Sequence, residues 1–366
     1  MDWYQIKNVE KIDSPSLIVY PERVNENIDR FLQMAGGAEN VRPHVKTNKM
    51  AEVCSLMMLA GINKFKCATI AEAEMLGMVK APDVLLAHQP VGPKQERLMK
   101  LVTTFPATHF SCIIDNFSTA KELSDLFTAK GQYIEAYIDL NIGMNRSGII
   151  PENALQLFID SQSLSGIRII GLHAYDGHIR DTDVVTRNQR SDEAFASVEK
   201  LKTAIESIAG RNMQIVIGGS PSFPTHTKRK GVHYSPGTFV FWDWGYKHIV
   251  PDEPFEYAAL VITRIISVID EQTVCTDLGH KSVAAENPLP RVHFLNAADA
   301  SPISQSEEHL VLKFPGKHHW KVGDVLYGVP VHICPTVALY DTAVIVEDNE
   351  VVDNWKVIAR ARKITI

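Results

Sequence analysis

Val41-Arg42-Pro43-His44-Val45-Lys46-Thr47-Asn48-Lys49 reads as a short strand ending in a lysine, with Thr47 and Asn48 opening the helix beyond it. A lysine at the C-terminal edge of such a strand points into the mouth of a β/α sheet. Held there, its ammonium can give up a proton and act as a nucleophilic amine able to form a Schiff base. A solvated lysine at a helix start is the plain alternative. What the other strand ends carry decides between the two.

Counted from Val41, the β-rich runs are Val41–Val45, Lys64–Ala68, Val84–His88, His109–Asp115, Ile134–Leu140, Ile167–Tyr175, Gln214–Gly219 and Val232–Phe241. Helical stretches separate most of them. The clearest runs from about Asp192 to Ala209, with Ala194, Val198, Leu201, Ile205 and Ile208 on one face. Such alternation implies a parallel sheet, and eight strands is the number that closes a (β/α)8 TIM-type barrel. A doubly wound open sheet is the alternative. The earlier run Ser16–Tyr20 then falls outside the barrel, followed by a helix opening at Pro21. Beyond Tyr246 helical periodicity fades. Strand-like runs at Tyr257–Asp270, Gln272–Asp277, His309–Lys313, Asp324–Val329 and Val344–Val346 predict a smaller, mostly antiparallel β domain. The expected domains are a barrel over residues 14–247, its strands starting at about 41, and a β domain over 248–366 joined by the N-terminal segment 1–20.

Composition narrows the class. With 45% hydrophobic and 22% charged residues over 366 positions, the chain can bury a large core. A net charge of −6 and no basic stripe argue against a nucleic-acid partner. No apolar run approaches a membrane span, and Met1-Asp2-Trp3-Tyr4 lacks the basic start and apolar core of a signal peptide. Cys54, Cys67, Cys112, Cys275 and Cys334 are scattered, odd in number and free of CxxC spacing, which predicts reduced thiols in a cytoplasmic protein.

Barrels build their sites on the C-terminal strand ends. Here the fifth strand runs into Asn141-Ile142-Gly143-Met144-Asn145-Arg146-Ser147-Gly148, which sets Arg146 over the mouth. The sixth ends in Gly171-Leu172-His173-Ala174-Tyr175-Asp176-Gly177-His178. Gly218-Gly219-Ser220 closes the seventh and Pro236-Gly237-Thr238 lies in the eighth. Glycines let backbone N–H groups approach an anion, and Ser or Thr hydroxyls add donors. Each motif alone is a plain turn, yet the loops after strands seven and eight are where barrels hold phosphate. A lysine and a phosphate cradle in one mouth suggest pyridoxal phosphate, which needs a Schiff-base amine and an anion clamp together. Separately, His332-Ile333-Cys334 in an extended strand would set imidazole and thiol on one face, a pair that favours zinc. A buried cysteine beside a satisfied histidine is the bland reading. Two protein ligands would leave open positions on a metal.

In this order along the chain, Arg42-Pro43-His44-Val45-Lys46-Thr47, Met144-Asn145-Arg146-Ser147-Gly148, Gly218-Gly219-Ser220, Pro236-Gly237-Thr238 and His332-Ile333-Cys334-Pro335-Thr336-Val337 resemble the alanine-racemase-like, fold-type III pyridoxal phosphate enzymes. Within them the match is to the D-threonine aldolase and D-serine dehydratase branch. The resemblance implies that Lys46 forms the Schiff base with the cofactor, that Arg146 reaches the cofactor's phenolic oxygen, and that His173 or Tyr175 lies near its ring. It implies further that Gly219, Ser220, Gly237 and Thr238 hold the phosphate, and that His332 and Cys334 bind a divalent metal, zinc or else manganese or magnesium. Family members are usually homodimers. The Trp242-Asp243-Trp244 segment has no clear match.

The function so implied is a lyase for D-configured β-hydroxy amino acids, with Lys46, His173 and His178 as the catalytic side chains. Retro-aldol cleavage to glycine and an aldehyde, with His178 or His173 as base, is the first reading. Ammonia loss to a 2-oxo acid, with Lys46 as the Cα base, is the alternative. A racemase would need a second acid/base and no metal, and a non-catalytic cofactor-binding protein would have little use for a β domain.

Overall fold

Parallel strands covered on both faces must be apolar nearly throughout, and the strands of the first two-thirds of the chain are. The computed structural model describes residues 1–366. It divides into a unit of Asp29–Lys46, Cys54–Gly237 and Ala361–Ile366 and a unit of Met1–Ile28, Thr47–Val53 and Thr238–Arg360. Numbered along the chain, β1 (Ser16–Val19) belongs to the latter. The former holds β2 (Lys64–Cys67), β3 (Asp83–Leu86), β4 (His109–Ile114), β5 (Ile134–Asp139), β6 (Ile167–Ala174), β7 (Gln214–Ile217) and β8 (Val232–Tyr234), all parallel and paired in that sequential order.

Seven strands do not close the ring; Val41–Val45 does. On one side the Arg42 N–H donates to the Tyr234 carbonyl at 2.8 Å and the His44 N–H to that of Pro236 at 2.9 Å. On the other, Val45 donates to Lys66 and Lys66 to Pro43, both at 2.9 Å. Pro43 has no N–H to give, so the segment pairs through isolated bridges and not a continuous ladder. The barrel interior is filled by Leu85, Ile113, Tyr137, Ile170 and Val216. Gly171 makes room for Tyr137: a Cβ there would stand 2.8 Å from its ring and 2.3 Å from the Gln214 carbonyl.

Three expectations need correction. Thr47 and Asn48 lie in a turn and do not open the helix after Lys46, which starts at Ala51. The eighth strand stops at Tyr234, because Ser235-Pro236-Gly237 breaks the ladder and Thr238–Val240 forms a 3-10 turn whose apolar side chains are buried without being strand. The long helix covers Val184–Ala209 and starts two turns before Asp192, where the Asp183 carboxylate caps the Thr186 N–H. Its buried stripe runs through Phe195, Val198, Leu201 and Ile205, while Ile208 faces solvent.

In the other unit β1 is joined by β9 (Ala259–Val268), β10 (Thr273–Thr276), β11 (Val292–Phe294), β12 (Ser301–Gln305), β13 (Leu310–Lys313), β14 (Val325–Pro330), β15 (Thr342–Glu347) and β16 (Glu350–Lys356). The order is β12-β13-β10-β9-β1-β15-β16, with β14 also on β9 and β11 on β14. Every pair is antiparallel except β1 with β15. Ile18, Leu260, Ile262 and Val329 are fully buried at its core, each side chain contributing about 1.5–3 kcal/mol. The chain is thus a TIM-type barrel with a mostly antiparallel β domain. No helix is long and apolar enough to cross a membrane.

Candidate active site

Lys46 directly follows the segment that closes the barrel, and its backbone N–H donates to His44 Nδ1 at 3.2 Å. Its half-buried ammonium lies 5.8 Å from the centre of the Tyr175 ring. Arg146 approaches the same ring, with Cζ at 5.1 Å. So does a residue that sequence reasoning missed: Lys66 of β2, whose Nζ stands 5.5 Å away and which is only 2% exposed. Burial, and then the neighbouring Lys46, pull Lys66 down to about 7. None of the three cations has a carboxylate in salt-bridge range.

The turn bearing Arg146 is fixed from below. Asn141 Oδ1 accepts the N–H groups of Gly143 and Asn145, and Ser147 donates to Asp139 at 3.2 Å. Gly148 has φ +95° and no room for a Cβ, which would stand 2.6 Å from the Asn141 nitrogen. Asp139, also unforeseen, binds His173 Nδ1 at 2.6 Å with both groups buried. Burial draws the His173 imidazole below its usual range in spite of Asp139. With Nδ1 donating to Asp139, Nε2 is left as a buried acceptor without a partner. His178 packs elsewhere, against Gly143, where a Cβ would sit 2.7 Å from Nε2; its Nδ1 is buried and unpartnered.

Buried Asp176 organises the loop after β7. It accepts from Ser222 Oγ at 2.7 Å and pairs with His226 Nε2 at 2.8 Å, and these partners hold it below the usual carboxylate range against the pull of burial. Ser222 Oγ also accepts the Gly219 N–H at 3.1 Å. A Cβ on Gly219 would stand 3.1 Å from the Tyr175 ring, so glycine lets loop and ring meet. Ser220 is buried, and Ser235 Oγ is a buried orphan. An orphaned hydroxyl, three uncompensated cations and a glycine loop against an aromatic ring together fit an anionic aromatic ligand such as pyridoxal phosphate.

In the β unit, His332 is the extended N-cap of a short helix, Ile333–Val337, and Cys334 lies in its first turn. The two are therefore not strand neighbours, as expected from the sequence, but cap and helix. His332 Nδ1 meets Glu286 at 2.5 Å. Although burial opposes it, the hydrogen bond and charge of Cys334, the charge of Asp243 and the hydrogen bond to Glu286 raise the imidazole to about 9. Cys334 Sγ lies 3.1 Å from Thr47 Oγ1 and 3.5 Å from Thr238 Oγ1, so the Thr238 hydroxyl faces the thiol. Buried Asp243, which accepts the Ile333 N–H, is pushed up to about 6 by desolvation. No cluster of three or more ligating side chains forms. A nitrogen and a sulfur donor, the imidazole oriented through its other nitrogen by a carboxylate, fit a soft divalent cation with open positions.

Residues 19–243, more than half of the chain, match the family of the alanine racemase N-terminal domain, and residues 258–346 match the "Putative serine dehydratase domain". A D-threonine aldolase from an Arthrobacter species is 26% identical, covering 96% of this chain and 93% of its own. The crystal structure of D-threonine aldolase from Filomicrobium marinum superposes with TM-score 0.87 at 25% identity, over 96% of each chain. A D-threo-3-hydroxyaspartate dehydratase, solved as a cysteine-to-alanine mutant in the metal-free form, has TM-score 0.83 at 19% identity over 96% of this chain and 98% of its own. The chain belongs to the family of the alanine racemase N-terminal domain and resembles, within it, the D-threonine aldolase and D-serine dehydratase branch.

Proposed function

We propose that the protein is a pyridoxal phosphate- and divalent-metal-dependent lyase acting on D-β-hydroxy amino acids, with D-threonine aldolase-type cleavage to glycine and an aldehyde as its reaction. The observation that carries this is the cation-ringed Tyr175 beside Lys46 in a chain similar over 96% of its length to a D-threonine aldolase. When bound, pyridoxal phosphate supplies an electron sink at the substrate Cα, and a divalent cation supplies a Lewis acid for the β-hydroxyl. Lys46 would hold the cofactor carbonyl, and Gly219, Ser220, Gly237 and Thr238 its phosphate. His332 and Cys334 would hold the cation. Arg146 and Tyr175 would border the cofactor ring, and Asp139 locks His173 with Nε2 free to accept a proton, which suits a general base. His178 remains the second candidate for that proton. We further take the protein to act as a cytoplasmic homodimer.

The dehydratase reading is favoured by the match of residues 258–346 to the serine dehydratase family. Purified protein given cofactor, zinc or manganese, and D-threonine or D-serine decides between them. Glycine with acetaldehyde is the expected product; ammonia with a 2-oxo acid selects dehydration. A chelator is expected to abolish turnover, and unchanged turnover would remove His332 and Cys334 from the reaction.

A further inference from the structure

Lys66 is given no step in the function proposed above, yet its ammonium is costly to bury. It is 2% exposed, carries no hydrogen bond to its ammonium, and shares the Tyr175 ring with Lys46 and Arg146. Strand β3 offers it only Leu85 across the register. The charged groups facing it are Lys46 and Arg42 from the closing segment, Asp139 from β5 and Asp176 beyond β6, while His173 of β6 feels its charge in turn. Both carboxylates are already committed, Asp139 to His173 and Asp176 to His226 and Ser222. Two ammonium groups beside one ring, with no free anion, repel each other in a medium that screens poorly.

We propose that Lys66 is the proton-holding partner of Lys46, a positioning residue that carries the positive charge of the pocket whenever Lys46 gives it up. The geometry supports this: the Val45 N–H, one residue before Lys46, donates to the Lys66 carbonyl at 2.9 Å, and the two Nζ atoms lie 5.8 and 5.5 Å from the centre of the same Tyr175 ring. Burial with Lys46 nearby leaves Lys66 near 7, poised to change state at neutral pH. The consequence for turnover rests on the function proposed above. When a Lys46 ammonium condenses with an aldehyde, a C=N bond replaces C=O and the carbonyl oxygen leaves as water with two of the nitrogen's protons. The third proton would pass to the neutral Lys66 amine and stay in the pocket. The coupling itself does not depend on that reading.

The test begins with cofactor-free protein labelled at the lysine side chains, followed by NMR across pH. The signal missing from Lys66→Met belongs to Lys66. It should titrate near neutrality in the parent protein and move up by about one pH unit or more in Lys46→Met, where the opposing charge is gone. A midpoint that ignores Lys46, or that already lies in the ordinary lysine range, overturns the proposal whatever the protein's activity. Proton release on adding pyridoxal phosphate at pH 7.5 gives the second arm. Lys66→Met and Lys66→Arg, one neutral and one permanently charged, should both release more protons per site than the parent. A merely electrostatic role would move the two variants in opposite directions. Absence of a borohydride-trapped Lys46 adduct in the parent would count against the proposed function, while the titration still decides the coupling.

Discussion

The two ends of the barrel treat charge in opposite ways. At the N-terminal ends of the strands, fully buried Arg42 spends both terminal nitrogens on Asp83, at 2.7 and 2.8 Å. His109 stands 3.9 Å from Asp83 and 3.0 Å from Glu135, which completes a chain of alternating signs across β3, β4 and β5. At the C-terminal ends, Lys46, Lys66 and Arg146 crowd one ring without a carboxylate, and His173 Nε2 and Ser235 Oγ are buried with nothing to bond. Buried polar groups are normally satisfied. The difference lies in the charges: at one end they pair, although Arg42 Nε, Thr108 Oγ1 and His233 Nδ1 are buried orphans there too, and at the other three cations have no carboxylate, which suits an anionic ligand.

The sharpest break in this contrast comes from Lys46→Ala. It should lower turnover by at least about 10³-fold while leaving the melting curve close to that of the parent. A variant that loses stability and not activity would reverse the roles of the two ends. Asp83→Ala should do the opposite: it strands a fully buried guanidinium, costs about 3 kcal/mol in urea unfolding, and leaves the activity per folded molecule intact. At the mouth, Lys66→Met removes a buried charge that has no partner to lose. It should raise stability by about 1 kcal/mol, read in the same urea experiment, and a loss of stability would mean that Lys66 is paired in solution.

The smallest expected effect is a pH dependence at the paired end. The carboxylates of Asp83 and then Glu135 raise His109 to about 9. A histidine raised in the folded state stabilises fully below its unfolded value of about 6.5, and that contribution fades as pH climbs through about 9. Its side chain is 51% exposed, so solvent screening leaves only a few tenths of a kcal/mol. Unfolding of the parent and of His109→Gln should converge by pH 10, and a gap that widens with pH would refute the assignment.

Much of this was legible in the sequence. Strand and helix alternation gives the eight staves, including Val41–Val45, although Pro43 keeps that segment from being a continuous strand. Lys46 and the glycine turns stand out in the sequence because they sit at strand ends. What escaped were partners joined across the sheet. Asp139 and His173 are 34 residues apart, and Asp176 and His226 are 50 apart, separations that no local pattern encodes. Lys66 did leave a signal, since a strand buried on both faces has no ordinary use for a lysine. His332 and Cys334 were linked for the wrong local reason, because a cap followed by a helical turn has the same spacing as two strand residues.

The unpaired mouth is proposed as a cofactor site built on Lys46. Incubation with pyridoxal phosphate, borohydride reduction and mass mapping of the peptides test it most directly. One phosphopyridoxyl group is expected, on the peptide containing Lys46, and none in Lys46→Ala. A label on another lysine, or one that survives Lys46→Ala, would contradict it.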